Sequence, residues 1–202
     1  MLDTNARKYI QPILDAVASA CLRMGISANT LTVIGMLVGV AAAVLVLGDQ
    51  AVGGFVVLWL SGLIDAADGT LARLTAPSPM GAILDITFDR IVEVAMIVAL
   101  ACISPEAHLV LLILAGTIAV AMSLFLSIGA AVENHSIKSF HYAPGLGERT
   151  EAFICFSLMI LDRERLVLWT SIFIGVIAFT MAQRLYHARR MLSAGVGHNT
   201  NS

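Results

Sequence analysis

Charged side chains are scarce in this sequence. They make up 13% of its 202 residues, whereas a soluble domain of this size carries about 25%. Hydrophobic residues account for 58% of the chain, and the mean hydropathy is +0.89. The few charges form no run of one sign and sum to a formal net charge of only -2, which argues against a nucleic-acid partner. This composition excludes an ordinary soluble globule and indicates an integral membrane protein.

Cysteine is also sparse, and its distribution excludes two kinds of site. Cys21, Cys102 and Cys155 lie far apart in apolar sequence, without the spacing of a zinc site or a disulfide framework. We therefore expect three buried small side chains. A cleaved signal peptide is not expected either, because polar residues and a proline interrupt the apolar stretch at 10–20.

Six apolar segments are candidates to cross a bilayer, which requires about 20 residues per helix. They lie near 30–47, 51–74, 80–103, 108–131, 150–161 and 166–187. The fifth is short, so we expect it to begin before Thr150, and the only long connection is the polar stretch 132–147. The pattern predicts an all-α, polytopic membrane protein with six transmembrane helices in a single domain, 1–191. The small polar residues 192–202 are predicted to form a disordered tail.

Residues 3–24, ahead of the first span, have the periodicity of an amphipathic helix. Apolar side chains recur there at three- and four-residue spacing, at Ile10, Ile13, Leu14, Val17, Cys21 and Met24. This pattern predicts a juxtamembrane helix on the membrane surface, although a helix packed on other helices would show the same period. Ser27 and Asn29 then offer capping side chains for a helix that starts near Thr30.

Basic residues are distributed unevenly between the two sides of the predicted membrane domain. Six spans place ten of the 12 on one side: Arg7, Lys8, Arg23, Arg73, Arg90, Lys138, Arg149, Arg184, Arg189 and Arg190. Only Arg163 and Arg165 lie on the other side. This bias predicts a multi-pass protein of the cell (inner, cytoplasmic) membrane with both termini toward the cytoplasm.

Four aspartates interrupt the apolar sequence on the same side. Asp65 and Asp68 share a face of the second span, and Asp85 and Asp89 share a face of the third. Two prolines in the connection reverse the chain, so the antiparallel helices present all four carboxylates to one another. Charges at membrane depth are costly and usually paired, metal-bound or functional. Because Asp65 lies about 13 Å inside the helix end, it must line a polar cavity.

Four neighbouring carboxylates cannot all be ionised without a compensating charge. Oxygen ligands favour Mg²⁺, Mn²⁺ or Ca²⁺ over zinc, and two ions would suit chemistry at a diphosphate. Gly69 and Gly81 would let a ligand approach the backbone, and Arg73 could clamp a phosphate. A structural polar network, or a small transporter whose aspartates line a cation path, is the alternative; neither needs the glycines and the arginine.

These residues resemble the signature of the CDP-alcohol phosphatidyltransferases. All eight positions of that signature occur in order, as Asp65-x2-Asp68-Gly69-x2-Ala72-Arg73 and then Gly81-x3-Asp85-x3-Asp89. The connection from the arginine to the second glycine has seven residues, whereas the family commonly has eight or nine. The six spans, the N-terminal helix and the segment 26–32 also look like the family.

The resemblance implies a phospholipid-synthesising enzyme that transfers a substituted phosphate from a CDP-linked donor, usually CDP-diacylglycerol, to an alcohol and releases CMP. It implies that Asp65, Asp68, Asp85 and Asp89 hold Mg²⁺ or Mn²⁺, as two ions, and that Asp89 is also the general base. It further implies a homodimer. The donor contacts implied in the same way are Asn29, Gly69, Ala72, Arg73, Ser78 and Gly81. A degenerate member with a structural role is a further alternative, against which the complete aspartate set argues.

The acceptor alcohol is indicated by fewer residues. The segments 148–151 (Glu-Arg-Thr-Glu) and 183–185 (Gln-Arg-Leu) resemble the bacterial phosphatidylinositol phosphate synthases, in which the arginine of the first segment helps bind the acceptor's phosphate. Arg149 is therefore a predicted acceptor contact, although a helix-end salt bridge would explain it equally. Lys138, in the connection 132–147, is a second predicted contact with an anionic acceptor, although a solvated loop explains it better. Inositol phosphate, glycerol 3-phosphate, serine and other alcohols stay open.

Two positions after the signature aspartates bear on that choice. Phosphatidylglycerophosphate synthases usually have proline after the third aspartate and lysine after the fourth, where this chain has Ile86 and Arg90. The difference argues modestly against glycerol 3-phosphate. Glu93, one turn beyond the fourth aspartate, is expected to orient Arg90 or to border the site.

Overall fold

The computed structural model describes residues 2–134 and 149–196, and the side chains within 11–131 and 150–191. In this part of the chain all regular structure is helical, which confirms the predicted all-α class. The helices are α1 (Leu2–Arg23), α2 (Ala28–Leu47), α3 (Ala51–Leu74), α4 (Pro79–Ile103), α5 (His108–Asn134), α6 (Arg149–Leu161) and α7 (Leu166–Val196). Single 3-10 turns, Pro105–Ala107 and Arg163–Arg165, lead into α5 and α7.

Each predicted apolar segment coincides with one of the helices α2 to α7. The largest difference is at the end of α7, which continues to Val196, five residues into the predicted tail. Leu192 and Ala194 are good helix formers, and no proline interrupts this stretch. Residues 135–148, with Lys138 and most of the predicted long connection, lie outside the described residues, as do 197–202.

Four of the described helical segments are long and apolar enough to cross a membrane. They are Ala28–Leu47, Ala51–Leu74, Pro105–Ala131 and Arg163–Met191. Helix α4 has sufficient length, at 25 residues, but its first half carries Asp85, Asp89, Arg90 and Glu93. Helix α6 is short, with 13 residues. Of the six predicted spans, α4 therefore fails the criterion because of its charged residues and α6 because of its length.

Serine side chains cap the two helices that enter the aspartate region. The Ser27 hydroxyl accepts the backbone N–H of Thr30 at 3.2 Å, so α2 begins at Ala28. Asn29 is thus not a cap; it lies in the first turn of α2. The Ser78 hydroxyl accepts the N–H of Gly81 at 2.9 Å at the start of α4.

Close packing of α2 against α3 and α4 brings the two aspartate-bearing helices together. A Cβ at Gly39 of α2 would lie 2.5 Å from a Val92 methyl and 2.8 Å from the Ser61 hydroxyl, so only glycine permits this approach. Ser61 is buried and donates to the Gly35 carbonyl at 2.8 Å. The interhelical hydrogen bond satisfies a polar group inside an apolar interface.

Helix α1 packs on one side of the same unit. Its buried residues Leu14, Ala18 and Cys21 belong to a small core with Leu31, Ala67 and Leu71 of α2 and α3. Ile13 and Met24, which the periodicity placed on the same face as Leu14, are 55% and 66% exposed. The apolar residues of α1 are therefore divided between a packed face and an exposed one.

The outer surface of the helices is largely apolar, with exposed side chains such as Leu109 and Leu112 at 71% and 70%. Such a surface is unusual for a soluble monomer and suits a lipid environment. Cys102 is part of it, which corrects the expectation of three buried cysteines. Cys21 is buried and Cys155 is half-buried, and all three thiols are free.

Candidate active site

Three of the four signature aspartates converge. Carboxylate oxygens of Asp65 and Asp68 on α3 and of Asp85 on α4 all lie within 4.8 Å of one another. Asp68 is 5% exposed, and its Oδ2 is buried without a hydrogen-bond partner among the described residues. A buried, unpartnered carboxylate oxygen is costly unless a cation compensates it. This oxygen donor set therefore fits a hard divalent ion such as Mg²⁺ or Mn²⁺.

A cavity of about 460 Å³ opens beside these carboxylates, and we call it cavity A. It is enclosed by parts of α1 to α4 and by the connection between α3 and α4. All six residues that the family resemblance implied for the donor line it, together with the three carboxylates: Asn29, Gly69, Ala72, Arg73, Ser78 and Gly81. Although the connection between Arg73 and Gly81 has only seven residues, Arg73, Ser78 and Gly81 still line the same cavity.

The two signature glycines meet different surroundings. A Cβ at Gly81 would lie 3.1 Å from both Asn29 Oδ1 and Ser78 Oγ, so the protein itself leaves little room there. A Cβ at Gly69 would meet only Arg73 Nη1, at 3.6 Å. Because Gly69 lines cavity A, the space that a side chain would take there belongs to the cavity. Packing therefore does not require glycine at this position, and its absent side chain leaves room for a ligand.

Arg73 closes cavity A near the end of α3. Its Nη2 donates to the Thr70 hydroxyl at 2.8 Å, which restrains the guanidinium from the same helix. Thr32, which the sequence reasoning did not single out, also lines the cavity; it is buried beside Asp68 and donates to the Ala28 carbonyl at 2.9 Å. The one sequence feature that could have identified Thr32 is that it belongs to the segment 26–32, which resembles the family.

A second cavity of about 440 Å³, which we call cavity B, shares Asp85 with cavity A. Asp85 lines both cavities, whereas Asp89 lines cavity B and is not among the three converging carboxylates. Helices α4 to α7 form the walls of cavity B. Its polar residues are Asp85, Asp89, Arg90, Glu93, Thr180 and Arg184.

The arginines of cavity B come from different helices. Arg90 Nη2 of α4 forms an ion pair with Glu93 Oε1 at 2.7 Å, which agrees with the expectation that Glu93 orients Arg90. The Arg184 guanidinium carbon of α7 lies 5.0 Å from the centre of the Phe125 ring of α5. Phe125 and Thr180 were missed in the sequence, since a lone aromatic or threonine in an apolar helix gives no signal. The side chain of Arg149, a predicted acceptor contact, lies outside those described.

The chain is similar to a known family and to several characterised proteins. Residues 25–182 match the model of the CDP-alcohol phosphatidyltransferase family. The chain belongs to this family. It is 30% identical over 170 residues to the inner membrane protein YnjF of Escherichia coli, an alignment that covers 78% of this chain and 81% of that protein.

Two further similarities extend over more of the chain. An archaetidylinositol phosphate synthase of Pyrococcus horikoshii is 28% identical over 204 residues, covering 96% of this chain and 100% of that protein. Phosphatidylinositol phosphate synthase (PgsA1) of Mycobacterium tuberculosis with CDP-DAG bound has a TM-score of 0.73 at 24% identity, covering 88% of this chain and 94% of that one. The same enzyme with manganese and citrate gives 0.72 at 23% identity, covering 87% and 88%. The structures share one fold.

Proposed function

We propose that this protein transfers a phosphatidyl group from CDP-diacylglycerol to a small alcohol and releases CMP, with the donor in cavity A and the acceptor in cavity B. The observation that carries the proposal is the position of Asp85. This aspartate lines both cavities and is one of the converging carboxylates. The phosphate of the donor and the hydroxyl of the acceptor would therefore meet beside it. Family membership supports the reaction class, and CDP-DAG is bound in the PgsA1 structure.

Asp65, Asp68 and Asp85 would hold Mg²⁺ or Mn²⁺, and Asp89 would complete a site for two ions. The buried, unpartnered oxygen of Asp68 supports this assignment, and the related PgsA1 has been solved with manganese. Such ions, when bound, neutralise the donor diphosphate and the departing CMP.

Side chains and backbone of the protein would bind the donor and remove the proton of the acceptor. Arg73 and the open backbone face of Gly69 hold the diphosphate in cavity A, and Gly81 lines the same cavity. Asp89 takes the proton of the acceptor hydroxyl, and that oxygen attacks the phosphorus that bears the diacylglycerol. The bond from this phosphorus to the CMP oxygen breaks, CMP leaves with the bonding electron pair, and the proton stays on Asp89.

The acceptor is an anionic alcohol. Cavity B presents Arg90 and Arg184 beside Asp89, and arginine is the side chain best suited to bind a phosphate in a fixed orientation. Inositol phosphate is the first candidate, because the P. horikoshii relative and PgsA1 are synthases of inositol phosphate lipids. Glycerol 3-phosphate is the second, and serine, which carries no phosphate, is less compatible with an arginine-lined cavity. Arg149 and Lys138 are predicted to add contacts from beyond the described side chains.

Six membrane spans, α2 to α7, form the proposed arrangement, with the charged helix α4 shielded by its neighbours around both cavities. Helix α1 lies along the membrane surface, where its exposed Ile13, Leu22 and Met24 would contact lipid. The excess of basic residues at the aspartate end supports an active site and termini facing the cytoplasm. The E. coli relative is an inner membrane protein. We further propose a homodimer, as the family resemblance implies.

The test is CMP release by the purified full-length protein in nanodiscs. CDP-diacylglycerol and Mg²⁺ or Mn²⁺ are supplied with inositol phosphate, glycerol 3-phosphate, inositol, serine or choline in turn, and Asp89→Asn serves as the control. We expect CMP only with a phosphorylated acceptor, and none in the control. CMP from neutral acceptors alone would refute the anionic acceptor. Metal binding without CMP release or nucleotide binding would favour the cation-path alternative.

A further inference from the structure

The two arginines of cavity B have different neighbours. Arg90 is paired with a carboxylate of its own helix, Glu93. Among the described side chains, no carboxylate lies within ion-pair distance of Arg184, whose guanidinium carbon lies over the Phe125 ring at 5.0 Å. Within the part of the chain whose side chains are described, the charge of Arg90 is therefore compensated by a carboxylate, whereas that of Arg184 is not.

The ring restrains a side chain that is otherwise flexible. A guanidinium within about 6 Å of an aromatic centroid is attracted to the ring face. Arginine loses much rotamer freedom when it binds an anion, and part of that loss is avoided if the guanidinium is held before the ligand arrives. Phe125 and Arg184 are both half-buried and belong to different helices, α5 and α7. Their contact therefore fixes the guanidinium relative to the cavity wall rather than only to its own helix.

We propose that Phe125 is a positioning residue for the acceptor. It holds Arg184 in cavity B so that the guanidinium binds the anionic group of a phosphorylated alcohol while the hydroxyl reaches Asp89. The inference rests on the proposed function, since it deepens the assignment of cavity B. Phe125 itself contacts no reacting atom, so its effect should fall on acceptor affinity and leave the chemical step unchanged.

Kinetics of matched variants test this role in full-length protein in nanodiscs, with inositol 1-phosphate and CDP-diacylglycerol as substrates. Phe125→Leu keeps an apolar side chain and removes the ring; Phe125→Tyr keeps the ring. We expect Phe125→Leu to raise KM for inositol 1-phosphate about three- to thirtyfold, the range of a partly desolvated cation–π contact. Turnover at saturation and KM for CDP-diacylglycerol should each change less than about twofold. Phe125→Tyr should retain the acceptor KM.

Helix α7 offers a control of the same chemistry outside the cavity. Arg190 lies 5.5 Å from the Tyr186 ring, and Tyr186 is 57% exposed and does not line cavity B. Tyr186→Leu removes an equivalent ring contact and should leave both KM values unchanged. Thermal unfolding of each variant shows whether the fold is retained.

A direct binding measurement separates failure of this inference from failure of the proposed reaction. Inositol 1-phosphate is titrated calorimetrically into wild type and Phe125→Leu, and we expect the variant to bind about three- to thirtyfold more weakly. Wild type that binds no inositol 1-phosphate would overturn the anion site and the role of Phe125. Binding without CMP release would refute only the reaction, and the affinity ratio would still decide the inference. An unchanged acceptor affinity in Phe125→Leu, or an equal loss in Tyr186→Leu, would also overturn it.

Discussion

Cavity A is built mostly from one stretch of sequence, whereas cavity B is assembled from four helices. The lining of cavity A comes largely from residues 65–85, with additions from α1 and the start of α2. That of cavity B comes from α4 to α7, over positions separated by as many as 99 residues, from Asp85 to Arg184. A local motif therefore determines the cavity proposed for the donor, and the packing of distant helices determines the cavity proposed for the acceptor.

This contrast means that the two cavities depend on different parts of the chain. Residues in the α3–α4 hairpin are held in register by their own helices and by caps such as Ser78. Cavity B depends on how α5, α6 and α7 meet α4, so one substitution in any of them alters its shape or charge. Variants that affect one cavity and spare the other test this division directly.

The largest effect is expected where the cavities meet. Asp85→Asn removes a charge from the convergent carboxylates and from both cavities, so CMP release should fall to background. Loss of a metal ligand removes several kcal/mol of charge stabilisation. Calorimetric titration with Mn²⁺ should show weakened metal binding in the same variant. Substantial turnover with unchanged Mn²⁺ affinity would contradict the central place of Asp85.

Asp89→Asn should separate chemistry from donor binding. Asp89 lines cavity B and not cavity A, so CDP-diacylglycerol should still bind while turnover falls about 10²- to 10⁴-fold, the range of a general base. Loss of its contribution to the metal site would add to that fall. Radiolabelled donor binding and CMP release, measured on the same preparation, provide the check. Wild-type turnover would remove Asp89 from the base role.

Gly69→Ala should lower activity and raise stability together. A Cβ there meets no crowded atom of the protein but occupies ligand space, so KM for CDP-diacylglycerol should rise about tenfold, within the usual cost of overpacking. Alanine stabilises a helix interior by about 1 kcal/mol relative to glycine. For a chain of this size that gain raises Tm by about 2–4 °C.

Gly81→Ala is the matched control for that variant. Crowding against Asn29 and Ser78 at 3.1 Å should offset the helix gain. Its Tm should therefore not rise. Equal stabilisation of both variants would mean that the difference in surroundings has no energetic consequence.

Arg184→Gln should affect cavity B alone. Removal of the charge should raise KM for a phosphorylated acceptor about tenfold or more, as expected for loss of a hydrogen bond to a charged group, and leave KM for CDP-diacylglycerol unchanged. Steady-state kinetics with each substrate varied in turn would measure both. A parallel rise in donor KM would mean that the two cavities are not functionally separate.

The smallest effect is expected at an ion pair remote from both cavities. Asp49, at the turn between α2 and α3, pairs with Arg163 before α7 and is 84% exposed. Exposed pairs contribute about 0–1 kcal/mol, so Asp49→Asn should leave CMP release within about twofold of wild type and shift Tm by no more than about 4 °C. A large loss of activity would show that the two ends of the membrane domain are coupled.

The helices and cavity A were accessible from the sequence because their signals are local. Apolar runs of defined length, capping serines and carboxylates at helical spacing depend on neighbours within a turn or two. Local errors were correspondingly small: Asn29, which lines cavity A as the resemblance implied, does not cap α2, and α7 extends past residue 191. The exposed Cys102 was missed because apolar periodicity does not separate a lipid-facing surface from a protein core.

The sequence by itself determined the helical class, the order of the helices, the family and most of the lining of cavity A, because a hairpin of two helices fixes its own facing residues. Only the tertiary structure decided that Asp85 faces two cavities, that Asp89 is not one of the three carboxylates converging within 4.8 Å, and that Phe125 lies beside Arg184. Phe125 and Arg184 are 59 positions apart in the sequence. The positions of the aspartates relative to the cavities depend on how the helices are rotated when they pack. Helix periodicity gives the face of each helix but not the partner that the face will meet.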